Sequence, residues 1–206
     1  MRRWGKRNVS KCPLCGNNGT LEHILNFCPV ALKQGRFTWR HNSVLSYFTN
    51  ILKENKPDSL EIFSDIPGHD LNGGTIPPDV LVTSSRPDLV ILDRTNRKIF
   101  LLELTCSFES NIQSANALKT LRYTPLKLDL EEAGFYCNLV PFEIGSRGYV
   151  SKSNRANLIH TFVTNGIKAN ALKCIKIFSK LALLCSYSIF QAYTQPTWRD
   201  PPFLKP

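Results

Sequence analysis

Residues 86–105 read Arg-Pro-Asp-Leu-Val-Ile-Leu-Asp-Arg-Thr-Asn-Arg-Lys-Ile-Phe-Leu-Leu-Glu-Leu-Thr. Two apolar runs, Leu89–Leu92 and Ile99–Leu104, flank the polar stretch Asp93 to Lys98, the pattern of two strands joined by a hairpin-type loop. Glu103 interrupts the second run, and a charged side chain inside an apolar strand is costly unless it is paired or binds a metal. Asp88 stands just before the first run. Carboxylates on adjacent hairpin strands can converge on one divalent cation, Mg2+ or Mn2+, which takes carboxylate oxygens and activates water in phosphodiester cleavage. Thr105 shares the strand face of Glu103. Many nucleases carry a Lys at that position, so here an ammonium has to arrive from elsewhere. Lys119-Thr120-Leu121-Arg122-Tyr123 offers two cations three residues apart on the following helix. The same residues also allow a structural reading, in which Glu103 pairs with Lys119 or Arg122 and Asp88 caps a turn.

Outward from the hairpin, Ile112, Ala115, Leu118 and Leu121 share one face of a helix expected from about Ser110 to Leu121 or beyond. A strand follows over Phe135–Ile144, then helices over roughly 153–168 and 170–192. Upstream, Val80-Leu81-Val82 is a short β-rich run, and residues 64–78 are loop-like with Gly68, Gly73, Gly74 and three prolines. Val44, Leu45, Phe48, Ile51 and Leu52 predict a helix with Ser43 as its N-cap, ended by Asn55-Lys56-Pro57. The order describes an α/β (α+β) protein, a compact sheet with helices packed against it.

Near the N-terminus, Cys12-x2-Cys15-x7-His23-x4-Cys28 has the ligand types and spacing of a zinc site. Four protein ligands leave no open position, so Zn2+ there is structural. Cys106, Cys137, Cys174 and Cys185 lack ligand spacing and read as small core hydrophobes.

The chain has 206 residues, 42% hydrophobic and 20% charged, which excludes a disordered or collagenous chain, and its seven Cys do not make a dense disulfide scaffold. Net charge is +10, distributed as +8 over residues 1–56, −5 over 57–150 and +7 over 151–206. Basic ends around an acidic middle fit a carboxylate site held against a phosphate backbone. Arg2, Arg3, Lys6, Arg7 and Lys11 form a basic arm around Trp4, and Lys173, Lys176 and Lys180 form a stripe on the last helix. No apolar run follows the basic N-terminus as in a signal peptide, and Leu181–Trp198 is too polar for a membrane span. The expectation is a soluble protein from a reducing compartment, with no membrane partner.

Taken together, these motifs resemble the C-terminal region of non-LTR retrotransposon polyproteins that carry a restriction-like, PD-(D/E)XK endonuclease. In order, they are the Cys-Cys-His-Cys module, Arg40-His41-Asn42, Pro87-Asp88, Glu103, Lys119 to Tyr123, and Pro141 through Gly145 to Gly148. The resemblance covers roughly residues 10–160. It implies a basic arm and zinc module over 1–36, a restriction-endonuclease-like core with a mixed sheet flanked by helices over 37–150, and C-terminal helices over 151–206. It further implies metal-dependent nicking of target DNA in the nucleus, with Asp88 and Glu103 holding Mg2+ or Mn2+ and Lys119 as the catalytic cation. Arg122, which cannot act as a base, would hold phosphate with Arg40, Lys6 and Arg7. Element RNA is a further implied partner. The chain holds no reverse transcriptase, which the full-length relative would carry, and so looks like a detached piece. A rival reading is a catalytically inactive remnant that only binds nucleic acid.

Overall fold

A computed structural model describes residues 11–71 and 74–203. Among these residues, five α-helices, α1 (Pro29–Lys33), α2 (Arg36–Asn55), α3 (Ile112–Glu132), α4 (Lys152–Thr164) and α5 (Ala171–Gln191), surround four strands, β1 (Leu60–Ser64), β2 (Leu89–Asp93), β3 (Lys98–Ser107) and β4 (Tyr136–Gly145). The strands form one mixed sheet in the order β1-β2-β3-β4. The first two pairings are antiparallel and β3 pairs parallel with β4, which requires a crossover, supplied by α3. The expected hairpin is present, with Asp93 opposite Lys98. The mixed sheet flanked by helices agrees with the sequence reading.

Alternation along the strands divides the core into two layers. Leu89, Ile91, Phe100, Leu102 and Leu104 pack with Val44, Leu45, Phe48 and Leu52 of α2 and Phe178 of α5. Val90, Leu92, Ile99 and Leu101 face Tyr123, Leu126 and Leu130 of α3. Glu103 has the parity of Ile99 and Leu101, so the sheet sends it toward α3. Asp88 has the parity of Val90 and Leu92, and lies one step beyond the Leu89–Leu102 pair, opposite Glu103.

Several expectations are corrected. Helix α2 starts seven residues before Ser43, after Gly35 in a left-handed conformation (φ 77°). Ser43 is interior, and its hydroxyl donates to the Trp39 carbonyl at 2.7 Å. Pro29 opens α1, because the missing amide costs nothing in a first turn. Val80–Val82 pairs with no strand; the strand beside β2 is Leu60–Ser64. On α3 the stripe of Leu118 and Leu121 is the exposed face, at 68% and 73%, and Tyr123, Leu126 and Leu130 face the sheet instead. On α5, Ile175 and Ile189 are buried, while Leu172 and Leu183 are exposed. Cys137, Cys174 and Cys185 are core residues, as expected. No helix among the described residues is long and apolar enough to cross a membrane.

Phe48 sits where α2, α4, α5 and β4 meet, 4.8 Å ring to ring from Phe178 and also against Phe142 and Phe162. Truncation there leaves a cavity that four elements cannot jointly close. Phe48→Ala is expected to lower unfolding free energy by about 3–5 kcal/mol in urea titration, whereas Leu118→Ala on the exposed face should change it by less than about 0.5 kcal/mol.

Candidate functional site

Two sites are built from the residues singled out above. At the first, Lys119 reaches from α3 to both carboxylates, its Nζ 3.0 Å from Asp88 Oδ2 and 2.7 Å from Glu103 Oε2. Two oxygens sharing one ammonium at these distances lie less than about 6 Å apart, a span that two carboxylates can close around one divalent cation. Glu103 is fully buried, and its Oε1 also accepts the Asp88 amide at 3.0 Å. That hydrogen bond continues the β2–β3 ladder with a side chain in place of a carbonyl. Four residues beyond Lys119, the Tyr123 hydroxyl donates to the Arg86 carbonyl at 2.8 Å and fixes the loop that presents Asp88.

His41 joins the site from the opposite layer. From α2 it reaches the open end of β2, with Nε2 at 3.3 Å from Asp88 Oδ2 and 3.2 Å from the Leu104 carbonyl. Nε2 therefore faces two acceptors and carries the proton in this arrangement. In sequence His41 is marked only by the motif Arg40-His41-Asn42; α2 begins five residues earlier, which places His41 in its second turn.

The charges tune one another. Burial and the neighbouring Asp88 push the Glu103 carboxyl up to about 7. Burial acts on Asp88 in the same sense, but His41 and Lys119 together hold its carboxyl below the usual value. Burial opposes charge on Lys119, and the two carboxylates overcome this and raise it, so it remains an ammonium. Asp88 likewise outweighs the burial of His41 and raises it. The pairing of Glu103 with Lys119 that the structural reading allowed is present.

The remaining site residues divide. Arg122 is exposed on α3, one turn past Lys119. Arg40 corrects its assignment to phosphate: it is fully buried and donates to the carbonyls of Leu25 at 3.0 Å and Cys106 at 2.8 Å and to Ser186 Oγ at 3.0 Å. Its guanidinium joins three parts of the chain and faces no solvent. Lys6 and Arg7 lie outside the described residues.

At the second site, the ligand atoms of Cys12, Cys15, His23 and Cys28 all lie within 4.8 Å of one another. Cys12 Sγ and Cys28 Sγ are 3.9 Å apart, and Cys15 Sγ is 3.1 Å from His23 Nε2. Two thiolates on a tetrahedral zinc at about 2.3 Å are separated by about 3.8 Å, so the first edge already has the right length. Burial raises the Cys12 thiol, but the Cys15 and Leu14 amides outweigh it and favour the thiolate; Cys28 stays raised by its burial. A Cys3His cluster of this form suits a structural metal such as zinc.

No protein-family model matches the chain, and no curated protein matches it significantly.

Two measurements check these sites. Glu103 holds its proton in the folded chain between its ordinary value near 4.5 and about 7, where the unfolded chain has lost it. Its contribution to stability is therefore complete below pH 4.5 and is lost as pH rises through about 7. Glu103→Gln mimics the protonated form, so zinc-loaded, magnesium-free wild type should lose stability relative to this variant by up to about 3 kcal/mol from pH 4.5 to pH 8. A pH-independent difference would contradict the shift. For the metal, purified protein should carry one zinc by atomic absorption, and Cys28→Ser should lose it with a lower melting temperature.

Proposed function

We propose that the chain is a metal-dependent DNA endonuclease that nicks one strand of its target. One observation supports this most: two carboxylates on adjacent hairpin strands meet a single lysine ammonium delivered by the crossover helix. The residues fit a hard divalent cation, since Asp88 and Glu103 supply oxygens at the spacing it needs while both stay hydrogen-bonded and oriented. Mg2+ or Mn2+ held there would lower the pKa of an attacking water and neutralise phosphate charge. Asp88 and Glu103 would hold it, with His41 fixing the Asp88 carboxylate from behind. Lys119, kept protonated by its carboxylate neighbours, acts as a charge and hydrogen-bond donor toward the phosphate rather than as a base. Arg122, one turn further on, adds a second cation for the strand. The Cys3His module would hold the N-terminal segment rigid beside α2, and DNA is the partner these groups would meet.

Supercoiled plasmid in Mg2+ is the direct assay. Wild type should convert it to the nicked form, and Asp88→Ala, Glu103→Ala and Lys119→Met should each lose at least about hundredfold. Wild type that cleaves no better than Asp88→Ala but retards DNA on a gel would leave binding alone as the activity and end the nuclease reading.

A further inference from the structure

Beside the carboxylate pair lies a cleft of about 620 Å3 that the proposed chemistry does not use. Its lining includes Glu109, Asn116, Glu143, Tyr149 and Ser151. It adjoins the pair through two elements. Asn116 is one turn before Lys119 on α3. Glu143 stands opposite Thr105 in the β3–β4 register, two residues along from Glu103 and on the same face of the sheet.

Glu143 is the notable group. It is 2% exposed, yet its one hydrogen-bond partner among the described side chains is neutral, Asn116 Nδ2 on Oε1. Glu103, equally buried, has an ammonium; Glu143 has no cation within ion-pair distance among the described residues. A buried carboxylate with only one donor has acceptor capacity left over. Next to it the buried Thr105 Oγ1 has no hydrogen-bond partner. At the rim, Tyr149 is 54% exposed and offers a ring face. The Glu109 wall is fixed by Arg147, whose Nε and backbone amide donate to its two oxygens at 2.8 and 2.9 Å. A Cβ at position 145 would meet that Glu109 side chain, so a larger residue there would have to displace it from Arg147.

We propose that this cleft receives an unpaired nucleobase of the strand being cut, next to the scissile phosphate, and that it favours guanine. The proposal rests on the endonuclease reading for its substrate. The volume suits a ligand of nucleotide size. An aromatic rim stacks on any base. A carboxylate floor accepts only, so it selects the base edge richest in donors. Guanine presents adjacent ring N–H and amino donors that can meet both carboxylate oxygens, whereas thymine presents a single N–H. Reading a Watson–Crick edge requires that the base be out of its pair, so the substrate is a duplex with an unpaired nucleotide or a single-stranded junction.

The test measures binding apart from cleavage. Fluorescence anisotropy, with zinc-loaded protein and no magnesium, would compare duplexes bearing one bulged G, A, C or T. Wild type should bind bulged G on the order of tenfold to a hundredfold tighter than bulged T. Glu143→Gln, near-isosteric and checked by its melting temperature, should lose that ratio. Tyr149→Ala should weaken all four alike, with Tyr149→Phe restoring affinity. Equal affinity for the four bulges in wild type would overturn the proposal. So would loss of a bound Mn2+ in Glu143→Gln with base preference intact, because the carboxylate would then belong to a cation. Cleavage of plasmid without any base preference would fail this inference and leave the nuclease reading standing. Base preference without cleavage in Mg2+ would do the reverse.

Discussion

Glu103 has no contact with solvent, and the structure around it is arranged to compensate a charge in that position. Its countercharge, Lys119, comes from the helix that the parallel β3–β4 pairing makes necessary. Removing Lys119 would leave the Glu103 charge buried without a cation, which costs several kcal/mol. Crossover topology and site chemistry are therefore linked: α3 must pack on the sheet through Tyr123, Leu126 and Leu130 for Lys119 to arrive one turn earlier over Glu103. Asp88 completes the cluster from just before the neighbouring strand, between Lys119 of one layer and His41 of the other.

A second constraint fixes His41. His41 can meet Asp88 only if α2 is held in rotation and depth, and two buried arginines on α2 hold it. Arg40 joins the metal module, β3 and α5. Arg36 donates to the carbonyls of Ala192 and Gln195, both at 2.7 Å, beyond the end of α5. The Trp39 indole donates to Pro201, and its ring packs edge-on against Trp198. Ile24 and Leu25 of the Cys3His segment enter the same cluster as Trp39, Cys185 and Ile189. The metal module is thus packed onto the helix that carries His41, and it acts as a brace for that helix.

Legibility from sequence followed locality. The β2–β3 hairpin was plain because both strands and their turn lie within twenty residues, and Glu103 stood out as the one charge in an apolar run. The Cys3His cluster was equally local. Strand β1 was missed because Leu-Glu-Ile-Phe-Ser is short, half polar, and defined mainly by its pairing with β2. Arg36 and Arg40 were illegible for a different reason. Their carbonyl partners come from Leu25, Cys106, Ala192 and Gln195, which no pattern within α2 can reveal. The α3 face was misjudged because the stronger leucine periodicity belongs to the outside. Glu143 had the same signal as Glu103, a charge at a sheet-facing position of an apolar strand, with Pro141 and Gly145 at the flanking positions blurring the alternation.

The charge pattern can now be placed on the fold. Lys173, Lys176 and Lys180 are exposed on α5, which packs on the α2 layer, across the sheet from α3 and the carboxylates. A strand lying over Lys119 would have to pass around the sheet to meet them. The cations near the proposed base cleft are different ones: Arg147 and Arg155 line an adjoining hollow that shares Glu109 and Tyr149 with it. With Arg122 beyond Lys119 on the other side, cations flank the acidic centre along α3 and the β4–α4 turn. On the proposed activity, the strand would run along that line, and the α5 lysines would meet only a partner on the opposite layer. The basic residues of the C-terminal third therefore divide by position: Arg155, near the start of α4, lines the hollow that adjoins the proposed cleft, while the α5 lysines lie away from the carboxylates.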